Sequence, residues 1–246
     1  MSNEIILAFF FFLVAALYGA VGLGGGSGYL AVMGLAGVPP EIMRPTALTL
    51  NILVASIGTW KYVRAGHFSA RIFWPIAAAS IPFAFLGGRL TLPAEIYRPI
   101  VGVVLLYASF RLWRSTTQSQ TSPQVIKTLP IWIALIAGAV IGLVAGLVGM
   151  GGGIFLGPLL LLAGWADTRQ AMGITAAFVL VNSLAGLAGR LFSIPELPPS
   201  ILFWLLVVGF GGWLGAEFGS KRLNPQILRR LLALILAAGA IRMIFF

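Results

Sequence analysis

From Ile5 to Pro40 the chain carries no Asp, Glu, Lys or Arg, and charge is likewise missing from Pro45 to Trp60, Ile72 to Gly88, Thr128 to Ala166, Gln170 to Gly189 and Leu197 to Ala216. A bilayer core about 30 Å thick needs about 20 apolar residues per helix, so several of these runs can cross one. Only 9% of the 246 residues are charged, against roughly 25% in a soluble domain. Such a chain cannot cover a water-facing surface. The expected fold is therefore an all-α polytopic membrane protein, with no room for a soluble domain.

Several functions fall away on composition. The net charge of +10 would suggest nucleic acid in a soluble protein. Here the Lys and Arg stand at the ends of apolar runs, where they set topology and meet lipid headgroups. Cysteine is absent, which removes disulfides, thiolate catalysis and thiolate metal sites. The six acids are Glu4, Glu41, Glu95, Asp167, Glu196 and Glu217, nearly all at span ends or in loops. With one His and no nucleophile–base pair, no catalytic residue, metal or cofactor is expected, and an integral-membrane enzyme is the weaker reading. Glu4 is the sole early charge and no small-x-small site precedes the Gly-rich stretch, so a signal peptide is not expected either.

The chain repeats itself. Shifted by 127 residues, Gly19–Arg64 aligns without a gap on Gly146–Leu191, and the matches include Gly22/Gly149, Gly24/Gly151, Gly25/Gly152, Gly26/Gly153 and Ser56/Ser183. Two homologous halves follow, 1–115 and 128–246, joined by a polar linker at 116–127. Each half offers four apolar segments: about 5–36, 44–63, 71–90 and 95–113, then 129–165, 169–191, 199–220 and 225–245.

The first segment of each half is overlong. Ile5–Ala36 would make a helix of about 48 Å, and Leu129–Trp165 a longer one. Each is interrupted midway, by Gly22–Gly28 and by Gly149–Gly153. Glycine clusters are poor helix interiors, so each segment is either one tilted, broken span or a hairpin turning inside the membrane. Single crossings would divide Lys and Arg about evenly. Re-entrant hairpins put Lys61, Arg64, Arg71, Arg111, Arg114, Lys127, Arg169, Lys221, Arg222, Arg229 and Arg230 on one face, leaving Arg44, Arg89, Arg98, Arg190 and Arg242 on the other. That asymmetry fits the positive-inside rule. The expectation is two inverted repeats, each a Gly-broken re-entrant hairpin plus three transmembrane helices, with a cytoplasmic linker and both termini on the non-cytoplasmic side.

Unwound backbone inside hydrocarbon is tolerated only where protein or a wet cavity satisfies it. Two breaks meeting at mid-depth would aim free N–H groups and positive helix ends at one place, which suits an anion. The candidate binding residues are Gly24, Gly25, Gly26 and Ser27 in the first break and Gly151, Gly152 and Gly153 in the second. Thr49, Asn51 and Ser56 join them from the next segment of the first half, and Thr175, Asn182 and Ser183 from that of the second. Their hydroxyls and amides can donate to oxyanion oxygens. Close packing by the glycines and hydrogen bonds between helices by the polar residues remain the competing readings. A nucleotide loop is disfavoured, since no strand precedes the glycines and no GK[ST] follows.

Elsewhere, His67 reads as solvated or headgroup-facing, with a proton relay as the sharper alternative. Arg89 and Arg190 read as snorkelling anchors. Glu217 reads as the partner of Lys221 four residues on, or as a coupling carboxylate. The seven Trp mostly fall near span ends, as an aromatic belt would.

These features resemble the sulfite exporter TauE/SafE family, also called the sulfonate-uptake permease family, over nearly the whole chain. Gly149-Met-Gly-Gly-Gly-Ile-Phe-Leu-Gly-Pro158-Leu159 is similar to the family's glycine-rich motif. Gly22–Gly28 looks like its first copy, with Ala31 where the second copy has Pro158. Leu202–Lys221, with Gly209, Gly212, Gly215 and Gly219, resembles the late Gly-rich helix, and Leu228–Met243 the closing Leu/Arg pattern. The resemblance implies transport of sulfite, sulfonates, sulfoacetate or thiosulfate, in a bacterial-type inner membrane. The expected partners are a small anionic solute and the lipid bilayer, with a homodimer permitted and no nucleic acid. An anion channel or a structural subunit are the alternatives.

Overall fold

The computed structural model describes residues 2–20, 22–115, 129–191 and 197–219, with 233–234, 236–238, 240–241 and 244–245. The linker at 116–127 and most of the last apolar segment lie outside the described residues. Nine helices are described: α1 (Ser2–Gly19), α2 (Gly26–Leu35), α3 (Pro40–Arg64), α4 (Ala70–Arg89), α5 (Ala94–Ser115), α6 (Ile131–Val148), α7 (Gly153–Leu162), α8 (Thr168–Arg190) and α9 (Ile201–Gly219). No strand occurs among the described residues. Four of these helices, α3, α4, α6 and α8, are long and apolar enough to cross a membrane.

Both overlong segments break at their glycines. Gly22, Gly24 and Gly25 have φ of 72°, 79° and 118°, and Gly149, Gly151 and Gly152 have 88°, 73° and 80°. That left-handed region costs other L-residues about 1–2 kcal/mol each, so the clusters end one helix and start another. The arms are unequal, and equally so in both halves. An 18-residue helix is followed by a 10-residue one each time, where equal half-length arms would be the simplest reading of a hairpin. In the first half, side-chain pairs show α2 folding back on α1: Phe11 meets Tyr29 edge-on with ring centroids 5.6 Å apart, and the Tyr18 hydroxyl lies 2.7 Å from Ser27 Oγ.

A different set of glycines packs helices. On α6, a Cβ at Gly138, Gly142 or Gly146 would land on the backbone oxygen of Ile76, Ser80 or Ala84 of α4. Bare backbone is what lets α4 and α6 run parallel in contact along most of their length. Gly211 and Gly215 of α9 do the same against Phe12 and Ala16 of α1. Helix α8 lies antiparallel to α3, with Tyr62 beside Met172, Gly58 beside Ala176 and Asn51 beside Ser183.

Two apolar cores result. One joins α4, α6, α7 and α8 through Phe73, Ile76, Ile141, Leu160, Ile174 and Phe178. The other joins α1, α2, α3, α5 and α9 through Phe11, Tyr29, Met33, Leu50, Leu105 and Val208. Each core contains helices from both halves of the sequence. The outside of the bundle is oily: Phe83 and Leu86, Val103 and Phe110, Ile136 and Val140, and Leu206 and Phe210 are all exposed. Water would not tolerate so continuous an apolar surface, and lipid does. Five tryptophans stand exposed near helix ends, whereas Trp165 and Trp204 are buried in the cores.

Candidate functional site

The two breaks meet, and Asn51 is the residue between them. Its Oδ1 accepts from Gly26 N–H at 3.2 Å, in the first turn of α2. Its Nδ2 donates to Met150 O in the second break at 3.3 Å and to Ser183 Oγ at 2.9 Å. One fully buried amide on α3 therefore ties together both breaks and α8. The fit is close: a Cβ on Gly26 would lie 2.7 Å from Met150 O, and one on Gly151 would lie 2.6 Å from Asn51 Nδ2 and 2.7 Å from Ser183 Oγ.

Helices α2 and α7 both start here, and their N-caps, Gly25 and Gly152, have no side chain with which to cap them. For α2 the amide of Asn51 serves instead. At the 127-residue shift Asn51 falls on Phe178, whose ring has no acceptor and packs against Gly152, 3.1 Å from where its Cβ would be. Nearby on α8, Thr175 is buried, and its Oγ1 has no hydrogen-bond partner among the described residues. Thr175 Cγ2 lies 3.0 Å from the Cβ position of Gly153, and Thr175 Oγ1 lies 3.4 Å from that of Gly157. Among the described residues, the start of α7 thus has no side-chain cap and an unused hydroxyl beside it.

The remaining candidates sit as follows. Gly24 accepts at its carbonyl from the Tyr29 hydroxyl, and Ser27 is paired with Tyr18. Asn182 is buried but turned to α4, where Ser80 donates to its Oδ1 at 2.6 Å, while its own Nδ2 donates to Phe178 O. Thr49 and Ser56 do not reach the breaks; half-buried, their hydroxyls donate to Pro45 O and Ile52 O of their own helix. Ser56 and Ser183, equivalent in sequence, are therefore not equivalent in place.

Other residues support the breaks without having stood out in sequence. Tyr97 donates to Val148 O at 2.9 Å at the end of α6. Arg44, only 3% exposed, donates to Leu90 O, Gly87 O and Gly146 O at 2.9–3.1 Å, closing the carbonyl ends of α4 and α6. Arg190 is also buried, at 9% exposure, and so is not the snorkelling anchor expected of it; Arg89 is exposed. Glu217 pairs with Lys61 of α3 at 2.9 Å, and Lys221 lies outside the described residues. His67 is half-buried in the α3–α4 turn, where its backbone N–H donates to Tyr62 O. No group of His, Cys, Asp and Glu able to hold a metal occurs among the described residues.

A family model described as sulfite exporter TauE/SafE matches residues 7–243. The chain belongs to the TauE/SafE family. It is 39% identical over 247 residues to a probable membrane transporter protein of Sinorhizobium fredii, covering all of both chains. A probable membrane transporter protein of Methanocaldococcus jannaschii is 22% identical, over 95% of this chain and 92% of the relative. One of Haemophilus influenzae is 26% identical, over 94% of each. No solved structure matches the chain. With its apolar runs and lipid-suited surface, this TauE/SafE member is an integral membrane protein.

Proposed function

We propose that the chain is a secondary transporter for small sulfur-containing anions such as sulfite, sulfonates, sulfoacetate or thiosulfate, working by alternating access in a bacterial-type inner membrane. The solute binds where the glycine breaks meet, held chiefly by the first N–H groups of α7 and the hydroxyl of Thr175. Gly24–Gly26 and Asn51 with Ser183 form the opposite wall. The single observation that carries this reading is a helix start without a side-chain cap, beside a buried hydroxyl that has no partner among the described residues. An anion accepts from both kinds of donor, and the positive end of the helix dipole favours it without any fixed charge.

The two halves are inverted repeats and their hairpins are re-entrant, entering from opposite faces. The direction of the helices supports this: α1 runs alongside α9, as the pairing of Phe12 with Gly211 and Ala16 with Gly215 shows, and α6 runs alongside α4. Helices α3 and α9 share a direction, with Val54 against Gly212 and Lys61 against Glu217, and α8 opposes α3. The family description and the relatives' names support transport, and sulfur anions as the class of solute.

The test is counterflow of a ³⁵S-labelled anion, sulfite or thiosulfate, into proteoliposomes preloaded with the unlabelled compound. Saturable, counterflow-driven uptake is expected, and Thr175→Val should reduce it at least tenfold with the protein still folded and inserted. Flux that neither saturates nor shows counterflow would make the protein a channel. Full uptake by Thr175→Val would overturn the proposed site, because the buried hydroxyl on which the reading rests would not be needed.

A further inference from the structure

Two buried arginines at one end of the bundle are left with donors to spare. Arg44 is 3% and Arg190 is 9% exposed. Arg44 uses both terminal nitrogens on backbone carbonyls, but its Nε has no hydrogen-bond partner among the described residues. Arg190 Nε and Nη1 have none either.

The fold brings the two together. Arg190 ends α8, and Arg44 grips the last turn of α4. Those helices are locked at this end, because a Cβ on Gly88 would strike Gly186 and one on Gly189 would strike Phe85 and Arg89. Arg190 stands within electrostatic range of Arg44, and both are within range of Tyr97. Among the described residues, neither arginine has a carboxylate at ion-pair distance. Glu41, one turn before Arg44, is exposed and reaches Tyr97 only electrostatically. Part of Arg44's charge answers the carbonyl ends of α4 and α6. Among the described residues Arg190 has no such carbonyls to answer its charge, and a buried cation without hydrogen bonds or a counter-charge is strongly unfavourable.

We infer that Arg190, with Arg44 behind it, holds a small oxyanion (a sulfate, sulfonate or phosphate group) at a second site where α4, α6 and α8 end. Guanidinium N–H groups match such oxygens in geometry and charge. The site is separate from the breaks but next to them. Gly149, which opens the second break, has its Cβ position 3.3 Å from Arg44 Cα, and Asn51 lies about 10 Å further along α3. An anion held here would wait at the approach to the breaks. The inference rests on the two side chains and stands whether or not the breaks bind the transported solute.

The experiment is a thermal melt of the purified chain titrated with sulfate, at ionic strength held constant with chloride. Sulfate should raise the melting temperature of the wild type through linkage. In Arg190→Gln the concentration giving half the shift should rise at least tenfold. Should that variant not fold, Arg190→Lys, which keeps the charge and loses the fork, should give a smaller rise in the same direction. A parallel melt compares nanodiscs of phosphatidylglycerol and phosphatidylcholine, because a lipid phosphate has the same chemistry. A stabilisation removed by Arg190→Gln in either arm supports the site, and the arm that responds names the source of the oxyanion. No response in either arm overturns it. So does a sulfate response kept by Arg190→Gln and lost by Thr175→Val, which would place the anion at the breaks. Failure of the breaks as the transport site shows separately, as counterflow surviving Thr175→Val.

Discussion

Asn51 ties three separate parts of this fold together with one side chain. In the sequence it is one of several amides and hydroxyls on the second segment of its half. In the structure it satisfies an N–H of α2, the carbonyl of Met150 and the hydroxyl of Ser183 at once. Truncation strands buried partners at about 1–3 kcal/mol each. Asn51→Ala should therefore lower stability by about 3 kcal/mol and Ser183→Ala by about 1 kcal/mol. The double variant should cost less than the sum, since the two share a bond; denaturant melts in detergent would show it. Arg44→Gln should cost about 3 kcal/mol for its charged bonds to three carbonyls. Asn51 was named from sequence because an amide in an apolar run is conspicuous. Nothing in the sequence marks Tyr18, Tyr29 and Tyr97, because only the fold shows the Tyr18 hydroxyl reaching Ser27 Oγ and those of Tyr29 and Tyr97 reaching backbone carbonyls at or beside the breaks. Arg44 and Arg190 were misjudged as surface charges for a related reason. Position at a span end says nothing of whether neighbouring helices close over the side chain.

At the level of the element, glycine does two jobs that composition cannot tell apart. The break glycines hold positive φ, while Gly138, Gly142 and Gly146 are helical and let α4 touch α6. Repetition of the cluster at the same point of two overlong segments revealed the breaks. The packing glycines gave no such sign, because their partners lie about 60 residues away in α4. Gly142→Leu should accordingly destabilise by at least about 3 kcal/mol, the range of an overpacked core or more. Gly66, with φ of +75° but open space around it, should lose only about 1 kcal/mol on change to Ala. Comparing the two melts separates lack of room from backbone strain. Thr49 and Ser56 show the limit of helical spacing as a guide. Seven residues apart, the two share one face of α3, yet a hydroxyl in an apolar helix readily bonds the carbonyl four residues back, as both do here.

For the molecule as a whole, the apolar runs are enough to predict a helical membrane protein, and the self-alignment enough to predict a matching glycine break in each half. How the halves would combine was not legible, because it depends on contacts between residues far apart in sequence. The structure interleaves them: α4 of the first half completes the core around α6, α7 and α8, and α9 of the second packs on α1. Residues 1–115 and 128–246 expressed separately should each fail to give a monodisperse product, whereas co-expression should yield a complex that copurifies and melts cooperatively. The absence of cysteine makes orientation simple to test. A single cysteine at Gly66 should be shielded from an impermeant maleimide added outside cells, and one at Ser2 should react.

The seam between α4 and α6 also limits how this machine can move. The glycine face of α6 lies directly on the backbone oxygens of Ile76, Ser80 and Ala84 there, between the two halves of the sequence, and so close a joint leaves little room to slide or re-pivot. If the front repeat swung as one body against the rear, that joint would have to be torn open in every cycle. The alternating access proposed above would therefore need a composite moving body, one that carries a helix from the other half of the sequence.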